Sequence, residues 1–168
     1  ATILNSCLIS YSLLDNHNDI ENFLLFVDFC VQLERMFSLY QMVKILNFMG
    51  LNYENLYKSD TLSKSFRKIL YKEDTNVLCY YIIKTIFLFN NDEFLRWCMI
   101  NNNNILKFDK MDHNFKELYV FIKDNYNGKF FLDSIRKMDI FYRKHKGPVF
   151  NACNRELLRT SRMTICEN

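Results

Sequence analysis

The sequence contains very little glycine and proline. Of its 168 residues, only 3 are glycine and 1 is proline. Sheets and barrels need both residue types in their turns, and dinucleotide-binding folds also need glycine in their phosphate loops. This scarcity therefore argues against most β and α/β architectures and indicates helices joined by short polar connections. Asparagine and aspartate supply such connections at residues 15–19, 90–92 and 101–104.

The cysteines and histidines do not form a recognised metal or redox motif. None of the 6 cysteines forms a CxxC pair, and no histidine stands at ligand spacing from any of them. We therefore expect no metal, no cofactor and reduced thiols, as is typical of cytoplasmic proteins. Cys30 and Cys79 fall on apolar helix faces and are predicted to pack in the core as small hydrophobic residues.

Charge and hydrophobicity argue against further classes of protein. The formal net charge is only +3, and the basic residues are interleaved with acids, whereas nucleic-acid binding needs a concentrated basic stripe. The most apolar run, residues 78–89, is about half of the ~20 residues needed to span a bilayer, and Lys84 interrupts it. We expect neither a nucleic-acid partner nor a transmembrane segment; peripheral membrane association would depend on residues outside this chain. No nucleophile–base pair, carboxylate pair or phosphate loop is visible, so we expect no enzyme activity.

Hydrophobic periodicity predicts a series of short helices. They are expected at residues 1–14, 20–37, 39–49, 61–71, 75–89, 92–100, 113–126, 129–145 and 151–160. Residues 51–60 are predicted to form a loop, and Gly147-Pro148 a stop signal. The helix at 75–89 is apolar nearly all round, which predicts a central, buried element. The sequence therefore predicts an all-α bundle.

Several polar residues predict the ends of these helices. Asp19 and Asp92 are expected to cap the helices that follow them, and Asp60 or Ser59 to cap the helix at 61–71. Gly50 suits a left-handed C-terminal cap.

Two stretches of the sequence are arranged like the signatures of a known family. Leu13-Leu14 is followed seven residues later by Glu21-Asn22 and then by an apolar helix start containing Phe23, Leu25, Phe26 and Phe29. About seventy residues further on, the apolar segment 85–89 leads into Asp92, with Arg96 and Trp97 one turn beyond. In this order and at this separation, the two stretches resemble a regulator-of-G-protein-signalling (RGS) domain over roughly residues 1–103.

The resemblance implies an antiparallel helical bundle that grips the switch regions of a G-protein α subunit with three neighbouring loops. Glu21 and Asn22 would lie on the first gripping loop, and Asp92 and Arg96 on the third. Catalysis in such a complex belongs to the GTPase, whose switches are held in the transition-state geometry. These four residues are therefore the predicted partner-binding residues of a cytoplasmic signal-transduction domain.

The same four residues also have purely structural interpretations. Glu21 suits the first turn of a helix, where the helix dipole favours an acid, and Asn22 is a polar residue at a helix start. Asp92 is a common residue type at the N-terminal cap of a helix. Asp92 and Arg96 could also form an i,i+4 surface salt bridge, which contributes about 0.5 kcal/mol. Both interpretations remain open at this point.

One residue that the family pattern requires is absent. Active RGS domains place an Asn on the second gripping loop, where it reaches the catalytic glutamine of the GTPase. The corresponding position falls near Arg67-Lys68-Ile69, and Asn76 is out of register. The resemblance therefore implies an RGS-like binding or scaffolding module instead of an accelerator of GTP hydrolysis.

Residues 104–168 have two interpretations. They form either a helical extension of the bundle or the start of a second, degenerate RGS-like repeat, in which Lys129 would stand at the position of Glu21. The alternative identity for the whole chain is a viral Bcl-2-like helical bundle that binds amphipathic helices of host partners. The Asn-Trp-Gly-Arg groove motif of that family is absent, and the sole tryptophan, Trp97, lies in a different setting.

Overall fold

Eight α-helices and no strand make up the part of the chain that the structure describes. The structure is a computed structural model, and it describes residues 1–102, 104, 107–146 and 160–165. The helices are α1 (Thr2–Ser12), α2 (Ile20–Phe48), α3 (Tyr53–Tyr57), α4 (Thr61–Leu70), α5 (Val77–Phe89), α6 (Asn91–Asn102), α7 (Asp112–Asn125) and α8 (Lys129–His145). The prediction of an all-α fold is confirmed. The predicted stop at Gly147-Pro148 and residues 151–159 of the last predicted helix lie outside the described residues.

The second helix is longer than the sequence pattern predicts. Two helices are expected at 20–37 and 39–49, whereas α2 is a single helix of 29 residues. That division is wrong because the intervening residue, Ser38, is no helix breaker and is buried at only 2% exposure. Asp19 caps the start of α2 as predicted, by accepting a hydrogen bond from a first-turn N–H at 3.1 Å. Gly50 follows its end with a φ of 74°, the predicted left-handed conformation.

Two further helix starts differ from the prediction. The predicted loop at 51–60 contains the short helix α3, which a capping box starts: the Asn52 side chain accepts the Asn55 N–H at 3.0 Å, and the Asn55 side chain accepts the Asn52 N–H at 2.9 Å. Helix α6 begins at Asn91, so Asp92 lies in its first turn and is not its cap. Asp60 caps α4 as predicted, accepting the Ser63 N–H at 2.9 Å.

The second half of α2 forms the core together with α5 and α8. The α2 residues Met42 and Leu46 are 0% and 1% exposed. The core also contains Leu39, Val43, Leu51, Tyr53, Leu78, Ile86, Phe131, Ile135 and Met138. Asn47 contacts Asp139 of α8, whereas Tyr40 contacts Tyr142, so α8 runs antiparallel to α2. Helix α2 contacts α1, α5 and α8, and is the element around which the bundle is built.

Helix α5 is buried on one side only. Leu78, Tyr81 and Ile86 are among its buried residues, whereas Val77 and Tyr80 are 43% and 40% exposed. The predicted core position of Cys79 is wrong, because this residue lies on the exposed side of α5. Cys30 of α2 is half-buried, and its sulfur accepts a hydrogen bond from the Ser10 hydroxyl of α1 at 3.7 Å.

A chain of aromatic rings joins α6 and α7 to the core. Phe87 of α5 stacks on Phe94 of α6 with ring centroids 4.2 Å apart, and Phe94 lies 6.3 Å from Trp97. Trp97 in turn stacks on Phe108, at 6.2 Å. Such aromatic pairs contribute about 0.5–1.5 kcal/mol each beyond their burial. The division of the chain at residues 103 and 104 stays a prediction, although α8 shares the core of α2 and α5.

Candidate functional site

The first predicted pair, Glu21 and Asn22, lies in the first turn of α2. Both residues are exposed. The Asn22 side-chain amide donates to the Asp19 carboxylate at 2.7 Å, in addition to the capping bond from its backbone N–H. These two hydrogen bonds lower the pKa of the Asp19 carboxyl. Asn22 therefore helps to cap α2, while the Glu21 side chain points to solvent beside it.

The second predicted pair, Asp92 and Arg96, lies in the first turns of α6, and both residues are exposed. The guanidinium group of Arg96 is 3.5 Å from the carboxylate of Glu93, and its Nε donates to the backbone carbonyl of Asp92 at 3.3 Å. The i,i+4 salt bridge between the Asp92 and Arg96 side chains is therefore replaced by an i,i+3 pair with Glu93. At these exposed positions either pair contributes at most about 1 kcal/mol.

The two predicted pairs lie on different helices. Arg35, fourteen residues after Glu21 on α2, donates to the Leu88 carbonyl at 2.9 Å, close to the end of α5. At 1.5 Å per residue, Glu21 is about 20 Å along α2 from this point. No hydrogen bond or ion pair joins Glu21 or Asn22 to the residues at the start of α6 in the part of the chain described. Their participation in one surface stays a prediction.

One of the three residues near the position expected to hold the family's Asn is a structural arginine. Arg67, in the last turn of α4, donates hydrogen bonds to the backbone carbonyls of Asn55 and Lys58, the latter at 2.9 Å. These carbonyls belong to α3 and its end, where backbone acceptors lack helical partners. The guanidinium group of Arg67 therefore ties α4 to α3.

The first half of α2 exposes a row of large apolar side chains. Leu25, Phe29, Leu33 and Met36, which we call the α2 stripe, are between 40% and 65% exposed. Their spacing places them on one helix face, and Asn22 begins the same face.

In the second half of α2 this face carries Tyr40, Val43 and Asn47, which α8 covers. The α2 stripe thus continues a face that is an interior interface further along the helix. Contiguous exposed apolar side chains usually mark an interaction surface.

The sequence does not predict a buried ion pair between α2 and α5. Lys84 of α5 lies 3.3 Å from the carboxylate of Glu34 of α2, and the two side chains are 8% and 2% exposed. A buried charge without a partner costs several kcal/mol, which is why the two are paired. Two signals could have revealed the pair: Lys84 interrupts the apolar run 78–89, and Glu34 lies on the buried face of α2 next to Val31.

Residues 160–165 contribute backbone groups and one hydroxyl to this ion pair. The Thr164 hydroxyl and the Ile165 N–H both donate to Glu34 Oε1, the latter at 3.1 Å. Lys84 donates to the Met163 carbonyl, and Lys44 of α2 donates to the Thr160 carbonyl. Three buried charged side chains therefore bind one non-helical segment.

An amide with no described partner lies between these charges. Gln41 is 1% exposed, and neither its Nε2 nor its Oε1 has a hydrogen-bond partner among residues 1–102, 104, 107–146 and 160–165. Gln41 is seven residues after Glu34 and three before Lys44, which places it on the same side of α2. A buried polar group without a partner costs about 1–3 kcal/mol.

The burial of Lys44 predicts a pH dependence of stability. Burial lowers the pKa of its ammonium group to about 8 from the ordinary 10.5, so the unfolded state binds more protons between these values and stability rises with pH there. Burial also raises the pKa of the Cys7 and Cys98 thiols above the ordinary 9.0, and the pKa of Tyr53 and Tyr40 above the ordinary 10.0, so stability falls again at higher pH. Urea titrations should therefore give a maximum free energy of unfolding at about pH 9. In Lys44→Met the rise from pH 8 should be absent, and an identical rise in this variant would contradict the assignment.

A small cleft opens between α2, α3 and α8. Its volume is about 260 Å³. Arg143 at its rim donates to the Asp139 carboxylate at 2.8 Å, and Arg136 lies 3.5 Å from the Glu54 carboxylate. Two guanidinium groups are thus matched by two carboxylates, and the cleft offers no excess charge to select an ionic ligand.

Known proteins do not identify the chain. Comparison with protein-family models, with curated proteins and with solved structures finds no match. Within the described ranges, no group of three or more His, Cys, Asp and Glu side chains is placed to hold a metal ion. None of the helices in those ranges combines the length and the apolar character that a membrane span requires. The resemblance to RGS domains stays a prediction, supported only by the residues that carry it.

Proposed function

We propose that this chain is an RGS-like protein-interaction domain. It binds a G-protein α subunit, or another signalling protein with a comparable switch surface, through the first half of α2 and the start of α6. The observation that carries this proposal is the α2 stripe, four apolar side chains left exposed on a face that α8 covers further along the helix. An exposed continuation of an interior interface is a surface that a partner can complete.

The charged residues beside the stripe supply the specificity. Glu21 is exposed at the start of α2, next to Asn22, and Arg96 is 71% exposed on α6. Apolar side chains at the centre of an interface provide most of the affinity, whereas charges at its rim control the association rate and exclude wrong partners. This division of roles fits a partner whose surface carries both an apolar ridge and charges.

In this proposal the domain binds its partner without accelerating GTP hydrolysis. The second-loop position of the family pattern falls near residues 67–69, which include no asparagine, and Arg67 there donates to the carbonyls of Asn55 and Lys58. Arg67 lacks the carbonyl acceptor of an asparagine side chain, and its guanidinium group is bound within the fold. The α subunit should therefore hydrolyse GTP at its own rate in the complex.

Substitutions on the proposed surface should weaken binding to an activated α subunit. Phe29→Ser, and the double variant Glu21→Lys with Arg96→Glu, should each raise the dissociation constant about tenfold or more, as expected for a buried aromatic contact and reversed charges. Titration calorimetry against an α subunit loaded with a non-hydrolysable GTP analogue measures this change. In single-turnover GTP hydrolysis, the wild-type domain should leave the rate within about twofold, since it offers no group to the reacting water.

Two matched controls make the binding result specific. Phe48→Ser replaces a phenylalanine that is 90% exposed at the other end of α2, and Asp124→Lys reverses an exposed charge on α7. Neither should alter binding. Affinities that are unchanged by Phe29→Ser and by the charge reversals would exclude the proposed surface, and no binding by the wild-type protein would exclude this class of partner.

The α2 stripe also favours the second candidate, a helical bundle that captures amphipathic helices. An incoming helix would pack along the four exposed side chains as α8 packs along the second half of α2. Short amphipathic helical peptides distinguish the two functions: they should bind, and bind less well to Phe29→Ser, only if the second candidate is correct.

A further inference from the structure

Helix α8 is strongly basic. Its 17 residues include 5 that are lysine or arginine and 2 that are aspartate, which gives a formal net charge of +3. The formal net charge of all 168 residues is the same, +3. The acidic and basic residues outside α8 therefore cancel in number. A concentration of one sign of charge on one element attracts a surface of the opposite sign.

The two acids of α8 are paired with its two arginines. The carboxylate of Asp133 lies 3.1 Å from the guanidinium group of Arg136. The carboxylate of Asp139 lies 2.8 Å from that of Arg143. The other basic residues of the helix are Lys129, Lys137 and Lys144. All three lysines are exposed, and none of them forms an ion pair within the ranges that the structure describes. The net charge of α8 is therefore the charge of these lysines.

The stability of the helix does not explain all three lysines. The helix dipole favours acids in the first turn and bases in the last turn. Lys144 lies in the last turn, where its charge is favourable. Lys129 is the first residue of α8, where a positive charge is unfavourable, and Lys137 lies in the middle, beyond the reach of either end. Two of the lysines therefore need another reason.

Large apolar side chains share the face of the lysines. Phe130 and Ile140 are 71% and 68% exposed, and Phe141 is 49% exposed. At 3.6 residues per turn, these three residues and the three lysines fall within about one third of the circumference of α8. We call these six residues the α8 outer face. Asp133 also lies within this arc, paired with Arg136. The core-packed side of the helix contains Phe131, Ile135 and Met138.

The α8 outer face is a convex strip about 21 Å long, from Phe130 to Lys144. The cleft described above opens along a different flank of α8, at Arg136 and Arg143. A convex strip without a groove suits a planar partner. Lysine side chains and bulky apolar side chains are mixed along it, which is the composition of surfaces that lie on anionic membranes.

The two kinds of side chain have separate roles at a bilayer. Phenylalanine and isoleucine enter the boundary between the headgroups and the acyl chains, while lysine stems lie along the same boundary and their ammonium groups reach the lipid phosphates. Nucleic acid fits less well, because it offers little to Ile140 and because arginine, the best bidentate phosphate ligand, is held here by aspartates.

We propose that the α8 outer face docks this domain on an anionic lipid bilayer, with the axis of α8 parallel to the membrane surface. The binding is peripheral and reversible, since it rests on three lysines and three apolar side chains. It differs from the expectation from the sequence, in which peripheral association needs residues outside this chain. It involves neither the α2 stripe nor the start of α6, so it does not depend on the function proposed above.

Vesicle co-sedimentation tests the proposal on the full chain. The protein should sediment with vesicles of phosphatidylcholine that contain about one third phosphatidylserine, and not with vesicles of phosphatidylcholine alone. Raising the NaCl concentration from about 0.1 M to about 1 M shortens the Debye length from about 10 Å to about 3 Å and should weaken binding about tenfold or more. No binding to the anionic vesicles, or equal binding to both kinds, would overturn the proposal.

A pair of matched variants locates the lysines that bind. Lys137→Gln with Lys144→Gln should weaken binding to the anionic vesicles about thirtyfold, because each lysine near such a surface contributes about fivefold. Lys116→Gln with Lys123→Gln removes two exposed lysines at the same spacing on α7, and it should change binding by less than about twofold. Equal losses in the two variants would mean that net charge, and not the α8 outer face, controls binding.

An apolar variant distinguishes a bilayer from other polyanions. Ile140→Ser with Phe141→Ser should weaken vesicle binding about tenfold, since the apolar contribution is lost while the charge is kept. Both side chains are exposed, and circular dichroism should show the same helix content. Vesicle binding that this variant leaves unchanged would contradict insertion. Binding to a DNA duplex without binding to the vesicles would assign the face to nucleic acid and overturn the proposal.

Discussion

Replacing Lys84 with methionine should lower the free energy of unfolding by about 3–5 kcal/mol, the typical cost of leaving one charge of a buried pair without its partner. Glu34, whose side chain is 2% exposed, would lose the ammonium group 3.3 Å away and, among the described residues, keep the donors from residues 160–165. Methionine fills a similar volume, so the loss reports the charge and not a cavity. Urea denaturation followed by circular dichroism measures the difference.

Two comparisons separate this effect from a general loss of charge. Arg96→Met breaks an ion pair whose partners are 71% and 59% exposed, and it should change stability by less than about 1 kcal/mol. Glu34→Leu combined with Lys84→Met removes both buried charges and should be more stable than Lys84→Met alone. If Lys84→Met lowers the free energy of unfolding by no more than Arg96→Met does, the Glu34–Lys84 pair is not buried in the folded protein.

Leu46→Ala should destabilise the protein by about 2–5 kcal/mol, the range for deleting a large aliphatic side chain from a packed core. Leu46 is 1% exposed and lies in the core that α2 shares with α5 and α8. The surrounding structure relaxes only partly around such a cavity, which adds to the cost. The midpoint of urea denaturation should fall while its slope stays unchanged.

The control for this substitution lies two residues along the same helix. Phe48 is 90% exposed, and Phe48→Ala should alter stability by no more than about 0.5 kcal/mol, as is usual at the surface. A similar loss in both variants would mean that α2 as a whole, and not the core at Leu46, responds to the substitutions.

The residues that were correctly predicted to mark helix ends act on their near neighbours in the sequence. Asp19 and Asp60 each accept an N–H three residues further on, and Gly50 adopts its left-handed conformation directly after α2. Such interactions depend only on residue type and local spacing, so they are readable from the sequence. The capping box of Asn52 and Asn55 is equally local, and only the less common residue pair concealed it.

The predicted partner-binding residues show which features a local sequence pattern can predict. Glu21, Asn22, Asp92 and Arg96 lie in the first turns of two helices and are exposed, as their positions in the sequence suggest. Side-chain geometry within one turn makes Glu93, and not the Asp92 carboxylate, the ion-pair partner of Arg96. The binding experiment tests whether the two pairs belong to one binding surface.

Scarce glycine and proline and the helical spacing of apolar residues were sufficient to determine an all-α protein, because each acts within one or two turns of chain. The continuity of α2, the exposed side of α5 that holds Cys79, and the exposure of the α2 stripe were decided by which helices pack together. The buried carboxylate of Glu34 is the clearest case, because it meets Lys84 across 50 residues and Ile165 across 131. Buried charges require partners, but only the tertiary structure chooses which distant groups supply them.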